Sequence, residues 1–229
     1  MLSRLAATVL AAMSLVWAMP ATATAVPCPD VDLVFARGTG EPSGMGRVGN
    51  ALAATLPSVL GGRTLGTYAV SYPANRNFLS TQDGANDAAA HIAWMAEHCP
   101  ATRIVLGGFS QGASVMSMLA GVPPVGDRIG TIGSAPPLEA ALARNVAAVA
   151  VFGNPGNRFG SPLSTTGQFA GRAIELCSQG IRSARRAATG PLTAITRCRR
   201  TRNRPRFLSR GWSELGAERA VRRLTRRSG

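Results

Sequence analysis

One segment of the chain predicts a sharp connection between a strand and a helix, and it constrains the fold more than any other. Residues 105–116 read Val-Leu-Gly-Gly-Phe-Ser-Gln-Gly-Ala-Ser-Val-Met, so an apolar run ends in Gly-x-Ser-x-Gly and an amphipathic stretch follows. Because Gly108 and Gly112 have no Cβ, the chain can hold Ser110 in a strained conformation with its hydroxyl exposed at the strand end. An ordinary turn gives the same five residues, but this setting favours a nucleophilic serine.

The rest of the chain alternates between strand and helix patterns. Apolar β-type runs lie at 31–36, 65–71, 103–107 and 146–152, and helical patterns lie at about 45–56, 84–98 and 111–119. This alternation predicts an α/β fold whose parallel sheet is covered on both faces. Asp83 or Asn86 is expected to cap the middle helix. The Gly- and Pro-rich residues 121–138 are expected to form a loop near the site.

A nucleophilic serine needs a general base and an acid that orients it, and this chain offers few candidates. Its only histidines are His91 and His98, and both precede Ser110. In hydrolases that use this turn, the chain order is serine, acid, histidine. His91 follows Asp87 by four residues, which predicts a helical i,i+4 pair. His98 closes the same helix, where an imidazole suits the helix dipole. Neither histidine is expected to act as the base.

Several segments together resemble the cutinase family of secreted serine esterases, especially its actinobacterial members. Residues 28–41, Cys-Pro-Asp-Val-Asp-Leu-Val-Phe-Ala-Arg-Gly-Thr-Gly-Glu, are similar to the family's first strand and oxyanion loop, and Gly107 to Gly112 resembles its nucleophile turn. The other matching segments are Tyr68 to Ala74, Asp83 to His91 and Val149 to Pro155. The resemblance runs from about residue 28 to about 180.

The resemblance implies a three-layer α/β/α sandwich of the cutinase type, with a central mainly parallel sheet, over residues 26–180. It assigns Ser110 as the nucleophile, and Thr39 with the backbone N–H of Gln111 as the oxyanion hole. The implied reaction is the hydrolysis of carboxylic esters of the cutin or lipid type. No metal and no organic cofactor is implied, and nucleic acid is not an expected partner.

The cysteines and the first residues predict an exported protein. Residues 1–25 combine Arg4, a short apolar run and Ala23-Thr24-Ala25, a pattern typical of a signal peptide cut after Ala25, with a membrane anchor as the alternative. Four cysteines in an exported chain indicate disulfides rather than metal. The resemblance implies a bridge between Cys28 and Cys99. It also implies a second bridge from Cys177 to a residue seven positions on, but Ala184 stands there and Cys198 is the only other candidate.

The charge of the chain is concentrated in its last fifth. Residues 181–229 hold 15 Arg and 2 acidic residues, a net of +13 out of +14 for the whole chain, and there is no lysine anywhere. An excess of Arg, Ala, Gly and Pro is typical of GC-rich coding DNA translated in the wrong frame. We therefore interpret 181–229 as an aberrant, disordered tail that follows a single-base deletion.

The genetic code allows this interpretation to be checked. Restoring one G ahead of the Ile181 codon gives GAT, HCG, NTC and NGC, which permit Asp, Pro, an apolar residue and Cys. The Thr193 slot then reads NAC, which permits His. The cutinase family has Asp-Pro-apolar-Cys here and a histidine about nine residues later. One deletion thus explains the missing acid, base and cysteine, and it predicts an impaired esterase. The alternative hypothesis is an inactive secreted protein whose Arg-rich tail binds anionic lipid or other polyanions.

Overall fold

The sheet of the protein contains six strands in the computed structural model, which describes residues 27–123, 133–178 and 195–197. The strands are β1 (Val31–Ala36), β2 (Leu65–Ala69), β3 (Arg103–Phe109), β4 (Val146–Phe152), β5 (Ala173–Ser178) and β6 (Ile195–Arg197). Their order across the sheet is β2-β1-β3-β4-β5-β6. All neighbouring pairs are parallel except β5 with β6, which is antiparallel.

Helices connect the parallel strands. They are α1 (Gly46–Thr55), α2 (Thr81–His98), α3 (Gln111–Leu119) and the short α4 (Ala140–Ala143). In the described part of the chain, 3₁₀ helices also span Leu56–Val59 and Pro155–Phe159. Parallel strands require such crossover connections, because each strand must begin again at the edge where the previous one began.

Side chains alternate between the two faces of the sheet and form two separate cores. On β1, Leu33 and Phe35 pack in a cluster with Val48 of α1. Val34 of the same strand packs in the other cluster, with Ile92 of α2 and further residues of α3. The sheet is therefore buried between α1 on one face and α2 and α3 on the other, and the predicted three-layer α/β/α fold is confirmed.

The start of α2 differs from the sequence-based expectation. The helix begins at Thr81, not at residue 84, and neither Asp83 nor Asn86 caps it, because Ser80 is the N-cap and makes no side-chain capping bond. The carbonyl of Phe78 accepts both the N–H of Thr81 (3.1 Å) and its hydroxyl (2.6 Å). This pair of bonds turns the chain into the helix earlier than the capping residues indicate.

A disulfide joins the region before β1 to the end of α2. Cys28 and Cys99 are bonded, with their Cα atoms 5.5 Å apart and a sequence separation of 71, and this is the pairing that the resemblance implied. The bond ties α2 to the amino-terminal edge of the sheet, far from the edge at which the helix begins.

We expect replacement of both cysteines, Cys28→Ser with Cys99→Ser, to lower the free energy of unfolding by about 2–5 kcal/mol, since the bond closes a long loop. Thermal unfolding measured without reductant tests this prediction. Dithiothreitol should destabilise the native protein by reducing this bond. It should have no such effect on the double variant, which lacks the bond. Equal melting temperatures of the two proteins without reductant would contradict it.

Several predictions concern residues outside the described part of the chain. The signal peptide at 1–25, the cysteine at Cys198 and all of the tail except 195–197 lie there, and the side chain of Cys177 is likewise not described. Within the tail, the backbone of β6 pairs with β5, so that Thr196 lies opposite Cys177. Among the helices of the described residues, none is both long and apolar enough to cross a membrane.

Candidate active site

The strained turn predicted at Ser110 is present at the carboxyl end of β3. Ser110 has φ +53° and ψ −109°, and α3 begins at the next residue. The N–H of Ser110 donates to the carbonyl of Phe152 at the end of β4 (2.9 Å), and the carbonyl of Ser110 accepts the N–H groups of Ala113 (3.0 Å) and Ser114 (3.3 Å). A serine is rarely found in this conformation, so the surrounding structure must impose it.

The two glycines of the turn are required for reasons of space. A Cβ on Gly112 would collide with the backbone carbonyl of Ala36, and a Cβ on Gly108 would collide with the carbonyl of Gly112. The start of α3 is thus packed directly against the ends of β1 and β3. This close approach holds Ser110 at the sheet edge and leaves its side chain only half-buried.

We expect Gly112→Ala to destabilise the fold by about 3 kcal/mol, because backbone atoms, unlike side chains, cannot move aside to admit the methyl group. Thermal unfolding tests this, with Ser114→Ala as the matched control, since that change on the same helix adds no volume. A Gly112→Ala protein as stable as the control would show that the turn is looser than described.

The loop that follows β1 is anchored by a buried arginine. The Arg37 guanidinium donates to the carbonyls of Glu41 (3.0 Å), Val70 (3.4 Å) and Tyr72. In return, the Tyr72 hydroxyl donates to the carbonyl of Arg37 (2.6 Å). Burial raises the pKa of Tyr72, which keeps the phenol protonated and able to donate. The loop after β1 and the loop after β2 are therefore held as one unit.

A second set of bonds fixes the residues on either side of Thr39. The carboxylate of Glu41 accepts the N–H of Gly38 (2.6 Å) and the N–H of Arg47 at the start of α1 (2.9 Å). The N–H of Gly40 donates to the carbonyl of Ala74 (2.8 Å). Thr39 thus sits in a short segment with little freedom to move.

The structure brings the predicted oxyanion residues Thr39 and Gln111 together. The hydroxyl of Thr39 lies 3.0 Å from Oε1 of Gln111, although the two are 72 residues apart in sequence. Gln111 is the first residue of α3, where backbone N–H groups have no partner within the helix. The arrangement places the segment containing Thr39 beside the helix N-terminus that follows Ser110. Such a helix end can stabilise developing negative charge.

Neither histidine lies near Ser110. His91 pairs with the buried Asp32 (Nε2 to Oδ2 2.8 Å) and stacks on Tyr68 at 3.6 Å. The predicted pair with Asp87 is wrong, because the Asp87 carboxylate accepts the Tyr68 hydroxyl instead. Asp32 is in register with Ile104 of β3, six residues before Ser110, so His91 lies roughly 20 Å away at the opposite edge of the sheet.

His98 is farther still along the same helix. Its Nδ1 lies 2.9 Å from the carbonyl of Trp94, within the last turn of α2. Since α2 begins beside Gln111, whose Nε2 donates to the Thr81 hydroxyl, its last residue lies roughly 25 Å away along the axis. The described residues therefore provide no histidine within reach of Ser110.

The buried carboxylate of Glu175 is occupied by structural hydrogen bonds. Oε1 of Glu175 on β5 accepts the side-chain amide of Asn154 (2.7 Å) and the N–H of Leu163 (3.1 Å). These bonds hold the segment after β4 in place. Within 27–123, 133–178 and 195–197, no group of three or more His, Cys, Asp or Glu residues could hold a metal ion.

Sequence reasoning missed the side chains that support the predicted site. Nothing in the sequence distinguishes Arg37 from an exposed arginine in a turn. The sequence likewise predicted a role for the backbone N–H of Gln111 but gave no sign that its side chain is buried.

Comparison with known proteins gives a consistent set of relatives. The sequence model of the family described as Cutinase matches residues 27–182. The chain is 50% identical over 174 residues to the probable carboxylesterase Culp3 of Mycobacterium tuberculosis, a match covering 76% of this chain and 63% of that protein. It is 49% identical over 154 residues to the phospholipase Culp4 of the same organism, covering 67% of this chain and 66% of that protein.

Among solved structures, the fold is similar to a Trichoderma reesei cutinase in complex with a phosphonate inhibitor. The TM-score is 0.50 and the sequence identity is 34%, over 67% of this chain and 63% of that chain. The matched part of the chain thus spans less than two thirds of the length of each of these three proteins.

Proposed function

The chain belongs to the cutinase family, and from this premise we propose that it is a secreted serine hydrolase of carboxylic esters whose turnover is severely impaired. The observation that carries the proposal is the conformation of Ser110, held at φ +53° between two glycines that admit no Cβ. Ordinary turns place glycine in this conformation, whereas a nucleophile elbow imposes it on a serine.

In the proposed reaction, the Ser110 hydroxyl attacks the ester carbonyl and forms a tetrahedral intermediate. The oxyanion of that intermediate is stabilised beside the N-terminus of α3, by Thr39 and the backbone N–H of Gln111. Expulsion of the alcohol leaves an acyl-enzyme, which water then hydrolyses. The proposal involves no metal and no organic cofactor.

The impairment follows from the missing base. No histidine follows Ser110 anywhere in the chain, and His91 and His98 are held elsewhere. The loss of one triad member typically reduces turnover by about 10⁴- to 10⁶-fold and leaves what binding and the oxyanion hole supply. Acylation and deacylation are both slowed, because each needs a proton to be moved.

We propose acyl esters of the lipid or cutin type as the substrate class. The relatives named above are a carboxylesterase, a phospholipase and a cutinase. Two large apolar side chains, Leu79 (54% exposed) and Phe159 (47% exposed), lie on the segments that follow β2 and β4 at the edge that carries Ser110. In the order of the sheet these segments belong to strands on either side of β3, and we propose that the two side chains contact an apolar acyl chain.

Mass spectrometry of the intact protein tests the proposal. After long incubation with a nitrophenyl ester, we expect a slowly formed acyl adduct on Ser110, because deacylation is also slowed. The Ser110→Ala variant provides the control and should carry no adduct. A native protein that remains unmodified across alkaline pH would contradict the nucleophile assignment.

A second candidate function is suggested by the charge distribution. The 15 arginines among residues 181–229 could bind an anionic lipid surface, although most of that segment lies outside the described residues. Retention on anionic vesicles that falls steeply with added salt would favour this function. Retention that is equally weak on neutral and anionic vesicles would exclude it.

A further inference from the structure

The carboxylate of Glu175 on β5 is buried on an apolar face of the sheet. Side chains alternate along a strand, and the neighbours Ile174 and Leu176 pack in the cluster that contains α1. Glu175 therefore faces the other core, where Ala173 packs in the cluster that contains α2 and α3. Only 5% of Glu175 is exposed. A carboxylate in such a position costs free energy unless hydrogen bonds replace the lost water.

Both groups that donate to Glu175 belong to residues 154–163, the segment that follows β4. Oε1 of Glu175 accepts the side-chain amide of Asn154 (2.7 Å) and the backbone N–H of Leu163 (3.1 Å). The oxygen of the same amide, Oδ1 of Asn154, accepts the N–H of Gly156 (3.0 Å) and caps the 3₁₀ helix that follows. One carboxylate therefore holds the first and the last residue of this segment.

The 154–163 segment is also tied to Ser110. β4 ends at Phe152, whose carbonyl accepts the N–H of Ser110 (2.9 Å), and Asn154 follows two residues later. The 3₁₀ helix of the segment packs against α3, the helix that begins after Ser110. The last residue of this 3₁₀ helix is Phe159, whose side chain is 47% exposed. Glu175 thus fixes the segment that presents this apolar side chain at the edge carrying Ser110.

We propose that Glu175 is a positioning residue that sets the acyl-chain preference of the proposed reaction by holding Phe159 in place. Glu175 contacts no reacting atom and acts through Asn154 and the 3₁₀ helix. Phe159 then offers a fixed apolar contact that a long acyl chain reaches and a short one does not. This inference rests on the proposed function, since it identifies what selects the substrate of that reaction.

An unsatisfied donor supports the view that this segment needs an anchor. Within the described part of the chain, Nδ2 of Asn157 in the same 3₁₀ helix is buried without a hydrogen-bond partner. An unsatisfied buried donor destabilises the arrangement that contains it. We therefore expect the segment to rearrange when the bonds to Glu175 are removed, and Phe159 to move with it.

Two variants of Glu175 separate a positioning role from a purely structural one. Glu175→Gln keeps an oxygen that can accept both N–H groups, whereas Glu175→Met has a similar volume and accepts neither. Asn157→Ala is the matched control in the same segment, because the nitrogen that it removes has no partner among the described residues. Asn154→Ala removes only one of the two bonds to Glu175, and it serves as the test if Glu175→Met does not fold.

The readouts are the melting temperature and the rate at which Ser110 is labelled at alkaline pH by two fluorophosphonates. One reagent carries an ethyl chain on phosphorus and the other an octyl chain, so their ratio of rates measures the chain preference. In the labelling an Oγ–P bond forms, the P–F bond breaks, fluoride leaves and hydroxide takes the hydroxyl proton. Ser110→Ala is the labelling control.

We expect the octyl reagent to label the native protein about tenfold faster than the ethyl reagent, because only the longer chain buries apolar surface against Phe159. Glu175→Met should lower this ratio by about threefold or more, and Asn154→Ala should lower it as well. Glu175→Met should also lower the melting temperature by about 4–15 °C, because two buried donors lose their acceptor. Glu175→Gln and Asn157→Ala should keep the ratio within about twofold of the native value.

Phe159→Ala tests whether Glu175 acts through this side chain. The variant should lower the octyl preference by itself, and adding Glu175→Met should lower it little further, since both changes remove the same contact. Fully additive losses in the double variant would contradict the proposal.

An unchanged octyl preference in Glu175→Met and Asn154→Ala, with lower melting temperatures, would show a purely structural role and overturn the proposal. Labelling of native Ser110 at equal rates by the two reagents would overturn this inference but leave the proposed function standing. If neither reagent labelled the native protein, the proposed function would fail, and this inference with it.

Discussion

Inserting one G ahead of the codon for Ile181 should raise the ester turnover of this protein by about 10⁴-fold or more. The insertion permits Asp, Cys and His in the slots of Ile181, Ala184 and Thr193, which all lie outside the described residues. The described structure holds Ser110, Thr39 and Gln111 together at one edge of the sheet, so we expect the restored groups to complete the proposed site. Hydrolysis of a nitrophenyl ester by the two proteins measures the gain.

The matched control is Ile181→Asp combined with Thr193→His in the present frame. This variant supplies an acid and a base but neither the cysteine partner nor the intervening residues. Triad geometry must be held to about half an ångström by neighbouring contacts, so we expect the double substitution to recover little activity. If the base-inserted gene encoded a folded protein that hydrolysed no ester, or met an early stop codon, the deletion hypothesis would be wrong.

Ser110→Ala should have very different effects in the two reading frames. In the base-inserted protein, we expect it to reduce turnover by about 10⁶-fold, as removal of the nucleophile does in a complete triad. In the present chain, the same change should reduce turnover less than about tenfold. Triad members act as a unit, so removing a second member costs little once the first is gone. The test measures the turnover of one ester by all four proteins, with and without Ser110→Ala in each reading frame. Equal losses in both frames would contradict the prediction.

The strand and helix order and the turn at Ser110 could be predicted because each depends on local pattern. β1 and β3 are apolar on both faces, and the glycines around Ser110 are needed for a close backbone approach that a sequence motif can signal. The early start of α2 could not be predicted in this way, because the Phe78 carbonyl, and not a capping side chain, begins the helix.

The sequence pattern could not predict contacts between residues that are far apart in sequence. The i,i+4 spacing indicated Asp87 as the partner of His91, but the fold places Asp32 of β1 beside His91. The Asp87 carboxylate instead accepts the hydroxyl of Tyr68 and the N–H of Ser71. The anchoring of Arg37 by the carbonyls of Val70 and Tyr72 depends on the pairing of β1 with β2. Such contacts depend on which strands become neighbours.

The central claim is that this chain carries a complete nucleophile turn without the base that would make it efficient. The most direct test is the rate of nitrophenyl ester hydrolysis by the purified protein in its present frame, measured beside Ser110→Ala. We predict slow turnover, with the two rates within about tenfold of each other. Robust turnover that disappears in Ser110→Ala would contradict the claim, because it would require a base that His91 and His98 cannot supply from their positions on α2.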